Sequence, residues 1–157
     1  MAIAEFCARY LIAVFFVLAS FLYYSKRRHE VHAIMEAVWA VLFALFMTNV
    51  IGTIVHRLRP FQASWMNGIT IPILIPQPLT TSFPSGHTAV SFALAFAIFW
   101  GNKKWGAVAL VFAGIIGLAR ILVGVHYPSD VAVGVVVGFS GFMLIRVIHK
   151  WLKLKDV

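Results

Sequence analysis

The chain has 157 residues, of which 62% are hydrophobic and only 11% are charged. Soluble domains average about 45–50% apolar and about 25% charged residues, so this composition excludes that class and predicts one membrane domain over residues 1–157. The formal net charge of +8 does not indicate nucleic-acid binding, because the basic residues form short clusters between apolar blocks.

Five apolar blocks follow one another along the chain and predict five membrane-spanning helices. They cover about Ile3–Tyr24, Val31–Val55, Ser85–Trp100, Trp105–Val125 and Ser129–Ile148. A span needs about 20 residues, and only the third block is clearly shorter. The expected fold class is therefore all-α, a polytopic membrane helix bundle with about five transmembrane helices.

The positions of lysine and arginine predict how this bundle lies in the membrane. Basic clusters occur at 26–28, 103–104 and 146–155, and with five spans all three fall on the same side. The positive-inside rule makes that side cytoplasmic. We therefore expect a multi-pass protein of the plasma (inner) membrane, with its N-terminus outside and its C-terminus cytoplasmic.

Two further patterns predict how the helices pack. Glu36 lies near the predicted inner end of the second span, where it is expected to pair with the basic cluster at 26–28. Small residues let membrane helices approach closely. The glycines expected at such contacts are Gly114, Gly117, Gly134, Gly138 and Gly141.

The polar residues that topology does not explain all lie on the predicted outer side. They form three groups: His56–Pro60, Phe83–Thr88, and Arg120 followed by His126–Asp130. Because the three groups belong to different connections between helices, the bundle would bring them to one end. This distribution predicts an active site at the extracytoplasmic end.

The second group is typical of a helix start, with Pro84 and Ser85 placed just before Gly86. The first N–H groups of a helix lack internal partners and lie at the positive end of its dipole, so they bind anions. Glycine at this position lets an anion come close to the backbone. An anion cradle is therefore expected at the start of the third span.

The other two groups supply charged and titratable side chains. Arg59 and Arg120 are permanently charged, forked donors that suit phosphate oxygens. His126 is followed four residues later by Asp130, and a carboxylate on one ring nitrogen makes the other a better nucleophile or base. His87 is then available as a proton donor. Together these residues provide what a phosphoryl transfer without a metal requires.

The spacing of these residues resembles the signature of the type 2 phosphatidic acid phosphatase family, which includes bacterial undecaprenyl diphosphate phosphatases. The resemblance extends over about half the chain and keeps the order of the elements. It is carried by Arg59-Pro60, Pro84-Ser85-Gly86-His87, Arg120, His126 and Asp130.

The resemblance implies a role for each matching residue. His126 would attack phosphorus and form a phosphohistidine, Asp130 would orient it, and His87 would protonate the leaving oxygen. The implied phosphate-binding groups are Arg59, Ser85, Gly86 and Arg120. The family needs no metal for this reaction, so neither a metal nor another cofactor is expected.

The chain departs from the family pattern at two positions. Gly52 stands where the family usually has a lysine, seven residues before its arginine, and Ala119 stands where it usually has a serine. The first change removes a phosphate-binding cation. His56 and Arg57 lie nearby and are the candidates to replace it.

These features predict an enzyme that hydrolyses a lipid phosphate or diphosphate, with undecaprenyl diphosphate favoured. Its expected partners are the membrane lipid substrate and the bilayer, and neither nucleic acid nor metal. Within the same chemistry, transfer of the phosphoryl group to another lipid is an alternative. A non-catalytic protein that binds or transports a lipid phosphate is another, supported by the missing lysine at Gly52.

Overall fold

The computed structural model describes residues 31–68 and 80–153, and every regular element within them is an α-helix. The all-α prediction is thereby confirmed. The predicted first span, residues 3–24, lies outside the described residues. The helices are α1 (Val31–Val55), α2 (Pro60–Met66), α3 (Gly86–Gly101), α4 (Lys103–Leu122) and α5 (Pro128–Lys153).

Three stretches of the described chain are long and apolar enough to cross a membrane. They are Met35–Met66, Lys103–Leu122 and Pro128–Leu152. Helix α3 is apolar but has 16 residues, which at 1.5 Å per residue is about 24 Å and shorter than a bilayer core of about 30 Å. The chain is a multi-pass membrane protein, and the count of five spans stays a prediction.

Helix α3 lies at the centre of the bundle, because it packs against α1, α4 and α5, while α5 also packs against α1. Large apolar side chains such as Phe46, Leu118 and Val136 are exposed on the outside of the bundle. The interior instead contains small side chains. The fully buried alanines are Ala40, Ala44, Ala89, Ala93, Ala95 and Ala113.

Glycines allow α5 to reach the backbone of α3, as the sequence predicts. A Cβ atom at Gly138 would lie 2.4 Å from the carbonyl oxygen of Ala89, and one at Gly134 would lie 2.8 Å from that of Ser85. The prediction is confirmed at Gly117 and Gly141 as well. It finds no support at Gly114, since no described atom lies within 4 Å of its Cβ position.

Glu36, Arg146 and His149, called here the Glu36 cluster, join the start of α1 to the last turns of α5. Nη1 of Arg146 donates to both carboxylate oxygens of Glu36, at 3.1 and 2.9 Å, and Nδ1 of His149 is hydrogen-bonded to Oε1. The guanidinium lies 4.4 Å from the ring centroid of Trp100. The described partners of Glu36 are therefore on α5, whereas the predicted partners at 26–28 lie outside the described residues.

The connection after α1 contains a helix that the sequence analysis did not predict. Helix α2 begins at Pro60, where the ring suits the first helical position and no N–H is needed. The side chain of Gln62 accepts a hydrogen bond from the backbone N–H of Arg59 at 2.9 Å. Phe61 is buried and meets Trp65 edge-to-face at 5.2 Å. This helix fixes the backbone direction from which the Arg59 side chain leaves.

Candidate active site

Four helix ends and the segments between them meet at one end of the bundle: the end of α1, the start of α3, the end of α4 and the start of α5. The three sequence groups converge there. His87, at the start of α3, lies close enough to Arg59, Arg120 and His126 to interact with them electrostatically. The two histidines are therefore on the same side of the membrane and in the same site, as the sequence analysis requires.

The hydrogen bonds of the buried His126 define the protonation of its ring. Nδ1 lies 2.7 Å from the backbone carbonyl oxygen of Ser82, which only accepts, so Nδ1 carries the proton. Nε2 then carries the lone pair, which accepts a hydrogen bond from Nη1 of Arg59 at 3.4 Å. Burial lowers the pKa of His126 below its ordinary value of 6.5, and the opposing effect of the neighbouring Asp130 does not reverse this shift. The ring is thus neutral at pH 7, with Nε2 unprotonated.

Asp130 is fully buried and collects donors from three segments. Oδ2 accepts hydrogen bonds from the hydroxyl of Ser82 and, at 2.8 Å, from the backbone N–H of Tyr127, while Oδ1 accepts from Nη1 of Arg57 at 2.7 Å. Oδ2 lies 3.6 Å from Nδ1 of His126, beyond hydrogen-bond distance. The sequence predicts that Asp130 binds the imidazole directly. In the structure Asp130 lies next to the imidazole, and the Ser82 carbonyl is the hydrogen-bond partner of Nδ1.

Of the two candidates to replace the missing lysine, Arg57 reaches the site. Its Nη1 donates to the hydroxyl of Ser129 at 2.7 Å as well as to Asp130, and its guanidinium lies 4.1 Å from the ring centroid of Tyr127. The side chain is 36% exposed. His56 is exposed at the end of α1 with a positive φ of 47°, and it has no described contact with the other site residues.

Arg59 is 3% exposed, and each of its five side-chain N–H groups has an acceptor. The acceptors are the carbonyl and hydroxyl of Thr80, both at 2.9 Å, and the carbonyls of Thr81 at 3.0 Å and Val125 at 2.9 Å, with Nε2 of His126 at 3.4 Å. Arg59 therefore joins the segment before α3 to the segment before α5. Its longest contact is the one with His126.

At Gly52, α1 touches the segment that precedes α3. A Cβ atom there would lie 2.7 Å from the hydroxyl oxygen of Thr81 and 3.3 Å from the carbonyl oxygen of Phe83. A lysine at this position would have to displace Thr81. The family's cation is thus absent in this chain, and the Thr81 side chain occupies part of the space beside position 52.

Ser85, Gly86 and Arg120 complete the predicted phosphate-binding set. Ser85 is fully buried: its N–H donates to the backbone carbonyl of Asp130 at 3.0 Å, and its hydroxyl accepts from Thr88 at 2.9 Å. Gly86 is the first residue of α3. Arg120, in the last turn of α4, is 5% exposed and close enough to Arg59 for their charges to interact. Of the three, Arg120 is also close enough to His126 for their charges to interact.

The charges of the site favour an anion. Arg57, Arg59 and Arg120 supply three fixed positive charges, and Asp130 supplies one negative charge. Such an excess in a partly buried site attracts a negatively charged group. Within the described ranges, no three His, Cys, Asp or Glu side chains are placed to hold a metal ion.

Sequence reasoning did not single out Ser82, Thr80 or Val125, although all three hold the charged side chains of the site. Each acts at least in part through its backbone carbonyl. Every residue has a carbonyl, so no residue-type pattern identifies these positions. The hydroxyls of Thr80 and Ser82, which also bind site side chains, were the available signals.

Comparison with known proteins agrees with this architecture. The PAP2 superfamily matches residues 33–154. Bacitracin transport permease protein BcrC of Bacillus licheniformis is 34% identical over 133 residues, which is 78% of this chain and 62% of that protein. Undecaprenyl-diphosphatase BcrC of Bacillus subtilis is 31% identical over 135 residues, 83% of this chain and 65% of that protein. The chain thus spans less than two thirds of the length of these two relatives.

A solved structure is also similar. The crystal structure of Aquifex aeolicus LpxE superposes with a TM-score of 0.65 and 29% sequence identity, covering 90% of this chain and 79% of that one. The resemblance on which the sequence analysis relied is therefore confirmed, since the matched residues include every motif that carried it. The chain belongs to the PAP2 superfamily of membrane proteins.

Proposed function

We propose that the protein hydrolyses a lipid phosphate or diphosphate without a metal, through a phosphohistidine at His126. The observation that carries this proposal is the state of the His126 ring. Its Nδ1–H is held by the Ser82 carbonyl at 2.7 Å, so the lone pair of Nε2 is directed into a region surrounded by arginines. A neutral imidazole with an oriented lone pair is a nucleophile, and the positive surroundings attract the phosphate that it would attack.

In the first step, Nε2 of His126 attacks the terminal phosphorus and an N–P bond forms. The bond between phosphorus and the leaving oxygen breaks, and His87, which would be protonated beside the bound negatively charged phosphate, donates that proton to the leaving oxygen. In the second step, His87 takes a proton from water, whose oxygen attacks the same phosphorus. The N–P bond breaks, inorganic phosphate leaves, and both histidines return to their starting states.

Arginine and backbone donors would stabilise the charge that develops on the phosphoryl oxygens. Nη1 of Arg59 lies 3.4 Å from Nε2 of His126, its longest contact, so this N–H can turn to an oxygen of a phosphorus atom that approaches Nε2. Arg120 and the N–H of Gly86, at the start of α3, would bind the other oxygens. Ser85 would act by holding the start of α3 against Asp130.

A lipid substrate agrees with the position of the site at the end of an apolar bundle, with exposed Ile54, Leu58 and Leu122 close to it in sequence. We favour undecaprenyl diphosphate because the BcrC relative of B. subtilis is named for that activity. We also propose that residues 1–157 form one domain.

Lys103, Lys104 and Lys150 lie at the opposite end of the helices from the site. By the positive-inside rule, that end faces the cytoplasm. The site would then be at the outer face of the plasma (inner) membrane, with the N-terminus outside and the C-terminus cytoplasmic.

Transport is the second candidate, because the BcrC relative of B. licheniformis is named a transport permease. A protein that only binds or moves a lipid phosphate needs an anion site but neither a nucleophile nor a proton donor. His126 and His87 in one site therefore favour hydrolysis over transport.

The test uses purified protein in detergent, terminally ³²P-labelled undecaprenyl diphosphate and a chelator. We expect release of labelled phosphate, inhibition by vanadate, and an acid-labile label on the protein after rapid quenching. Binding of the lipid without release would support the transport candidate instead. Release that depends on an added divalent metal would contradict the proposed mechanism.

A further inference from the structure

We infer that Ser82 is a positioning residue: its carbonyl fixes the tautomer of His126, and its hydroxyl keeps the Asp130 carboxylate from bonding to the imidazole. This inference rests on the proposed function, since it assigns a task in the proposed attack by Nε2. It concerns a residue that lies outside the motifs that carry the family resemblance.

The carbonyl of Ser82 decides which ring nitrogen is protonated. The 2.7 Å separation from Nδ1 of His126 is short for an N–H···O hydrogen bond. In the other tautomer, the lone pair of Nδ1 would face the lone pairs of the carbonyl oxygen, and a buried acceptor would lose its donor. The proton therefore stays on Nδ1, and Nε2 stays unprotonated.

The hydroxyl of Ser82 decides where the carboxylate lies. It donates to Oδ2 of Asp130, and the N–H of Tyr127 donates to the same oxygen at 2.8 Å. These two donors hold Oδ2 at 3.6 Å from Nδ1 of His126. Ser82 is itself fixed, because it is fully buried and its N–H donates to the carbonyl of Arg57 at 2.9 Å.

This arrangement places a neutral acceptor, rather than a carboxylate, on the imidazole. A carboxylate bonded directly to Nδ1 would stabilise the imidazolium, so Nε2 would be protonated and unable to attack at a higher pH. With the carboxylate at 3.6 Å from Nδ1, burial outweighs its effect on the ring, and the pKa of His126 stays below its ordinary value. The charged and titratable groups that face His126 are Arg59 after α1, His87 on α3, Arg120 on α4 and Asp130 on α5.

The test compares Ser82→Ala and Ser82→Cys with the wild-type protein. In Ser82→Ala the carbonyl remains, but Asp130 loses a donor and can turn to Nδ1. We expect kcat to fall about tenfold, with KM unchanged, as for an outer-shell hydrogen bond. We expect the acid limb of kcat to move up by about one pH unit, because the nearer carboxylate raises the pKa of His126. Ser82→Cys keeps a weak donor of similar size, so its kcat and its acid limb should lie between those of the wild-type protein and of Ser82→Ala.

Ser64→Ala is the control, because Ser64 is a half-buried serine whose hydroxyl donates to the carbonyl of Pro60 within α2 at 2.8 Å. A merely structural role for Ser82 would lower the yield or the amplitude of activity and leave the acid limb in place. An unchanged acid limb in Ser82→Ala would therefore overturn the inference. If Ser82→Ala is not monodisperse, Ser82→Cys decides by the same criterion.

A ¹⁵N NMR titration of labelled histidine separates this inference from the proposed function. The His126 signal is assigned by its loss in His126→Gln, and its titration needs no turnover. If wild-type protein releases no phosphate, the proposed function fails, whereas a higher pKa of His126 in Ser82→Ala still supports the arrangement around Ser82. An unshifted titration contradicts it whether or not the wild-type protein is active.

Discussion

Each end of the bundle combines a buried carboxylate with an arginine and a histidine, but the arrangements differ. At one end the buried Asp130 lies beside Arg57 and His126, and at the other the buried Glu36 lies beside Arg146 and His149. In the Glu36 cluster the carboxylate binds both partners directly. At the other end, the carboxylate of Asp130 accepts a hydrogen bond from Arg57, whereas His126 is bonded to the backbone carbonyl of Ser82.

The reason lies in the backbone at each end. Glu36 and its partners lie within α1 and α5, where helix carbonyls are already bonded to N–H groups four residues later. The hydrogen bonds described for these side chains are to one another, and Arg146 also lies over Trp100. His126 and Ser82 lie between helices, where the backbone carbonyl of Ser82 is available. The comparison teaches that the irregular segments, and not the choice of side chains, separate the imidazole of the candidate site from a structural ion pair.

Replacing the histidine at each end tests this difference most strongly. His126→Gln should lower phosphate release by about 10³-fold or more, because the proposed nucleophile is removed. His149→Gln is the matched control and should keep the wild-type kcat, since His149 lies at the other end of α5. Phosphate release in detergent measures both. Equal losses in the two variants would contradict the assignment of the site to the His126 end.

Replacing the carboxylate at each end by its amide should have a smaller effect on kcat, and the two variants should still differ clearly. Asp130→Asn should lower kcat about a hundredfold, because the amide cannot accept all three of the present donors. Glu36→Gln should leave kcat unchanged and lower the free energy of unfolding by about 1–3 kcal/mol, since Arg146 loses its charged acceptor. Activity and thermal unfolding are measured on the same samples. A loss of kcat in Glu36→Gln would show that the two ends are coupled.

Replacing the arginine at each end should have the smallest effect on turnover. Arg57→Ala should lower kcat about tenfold, because Oδ1 of Asp130 loses its donor and the carboxylate is freer to turn. Arg57→Lys should restore part of the rate, since it retains the charge without the guanidinium fork. Arg146→Ala should reduce stability alone. If Arg57→Ala raises the KM for the lipid substrate and leaves kcat unchanged, Arg57 binds the phosphate in place of the family lysine and does not act by holding Asp130.

Helix positions were predictable within a few residues, and the differences have local causes. The fourth span was predicted over Trp105–Val125, whereas α4 covers Lys103–Leu122. It starts earlier because the side chain of Asn102 accepts from the N–H groups of the next turn at 3.1 and 3.2 Å. It ends earlier because Gly124 turns the chain with a φ of 75°. Hydropathy locates the apolar block, whereas the caps decide where the helix begins and ends.

The choice of site side chains also followed from the sequence, but their contacts did not. Arginine, histidine and aspartate at these spacings predicted which residues meet. Two features depend on how segments distant in the chain pack together. All five N–H groups of Arg59 are bonded, and the Thr81 side chain lies next to the Cβ position of Gly52. Such contacts leave no local pattern of residue types.

The sequence alone determined the membrane class and the helical fold and predicted the chemical groups of the candidate site, because hydropathy and charge are properties of side chains. The tertiary structure decided the protonation of His126, since that depends on a carbonyl 44 residues away in the chain. It also decided that Asp130 holds Ser82 and Arg57 rather than the imidazole itself. Backbone carbonyls are the same in every residue, so only the folded chain determines which one a side chain meets.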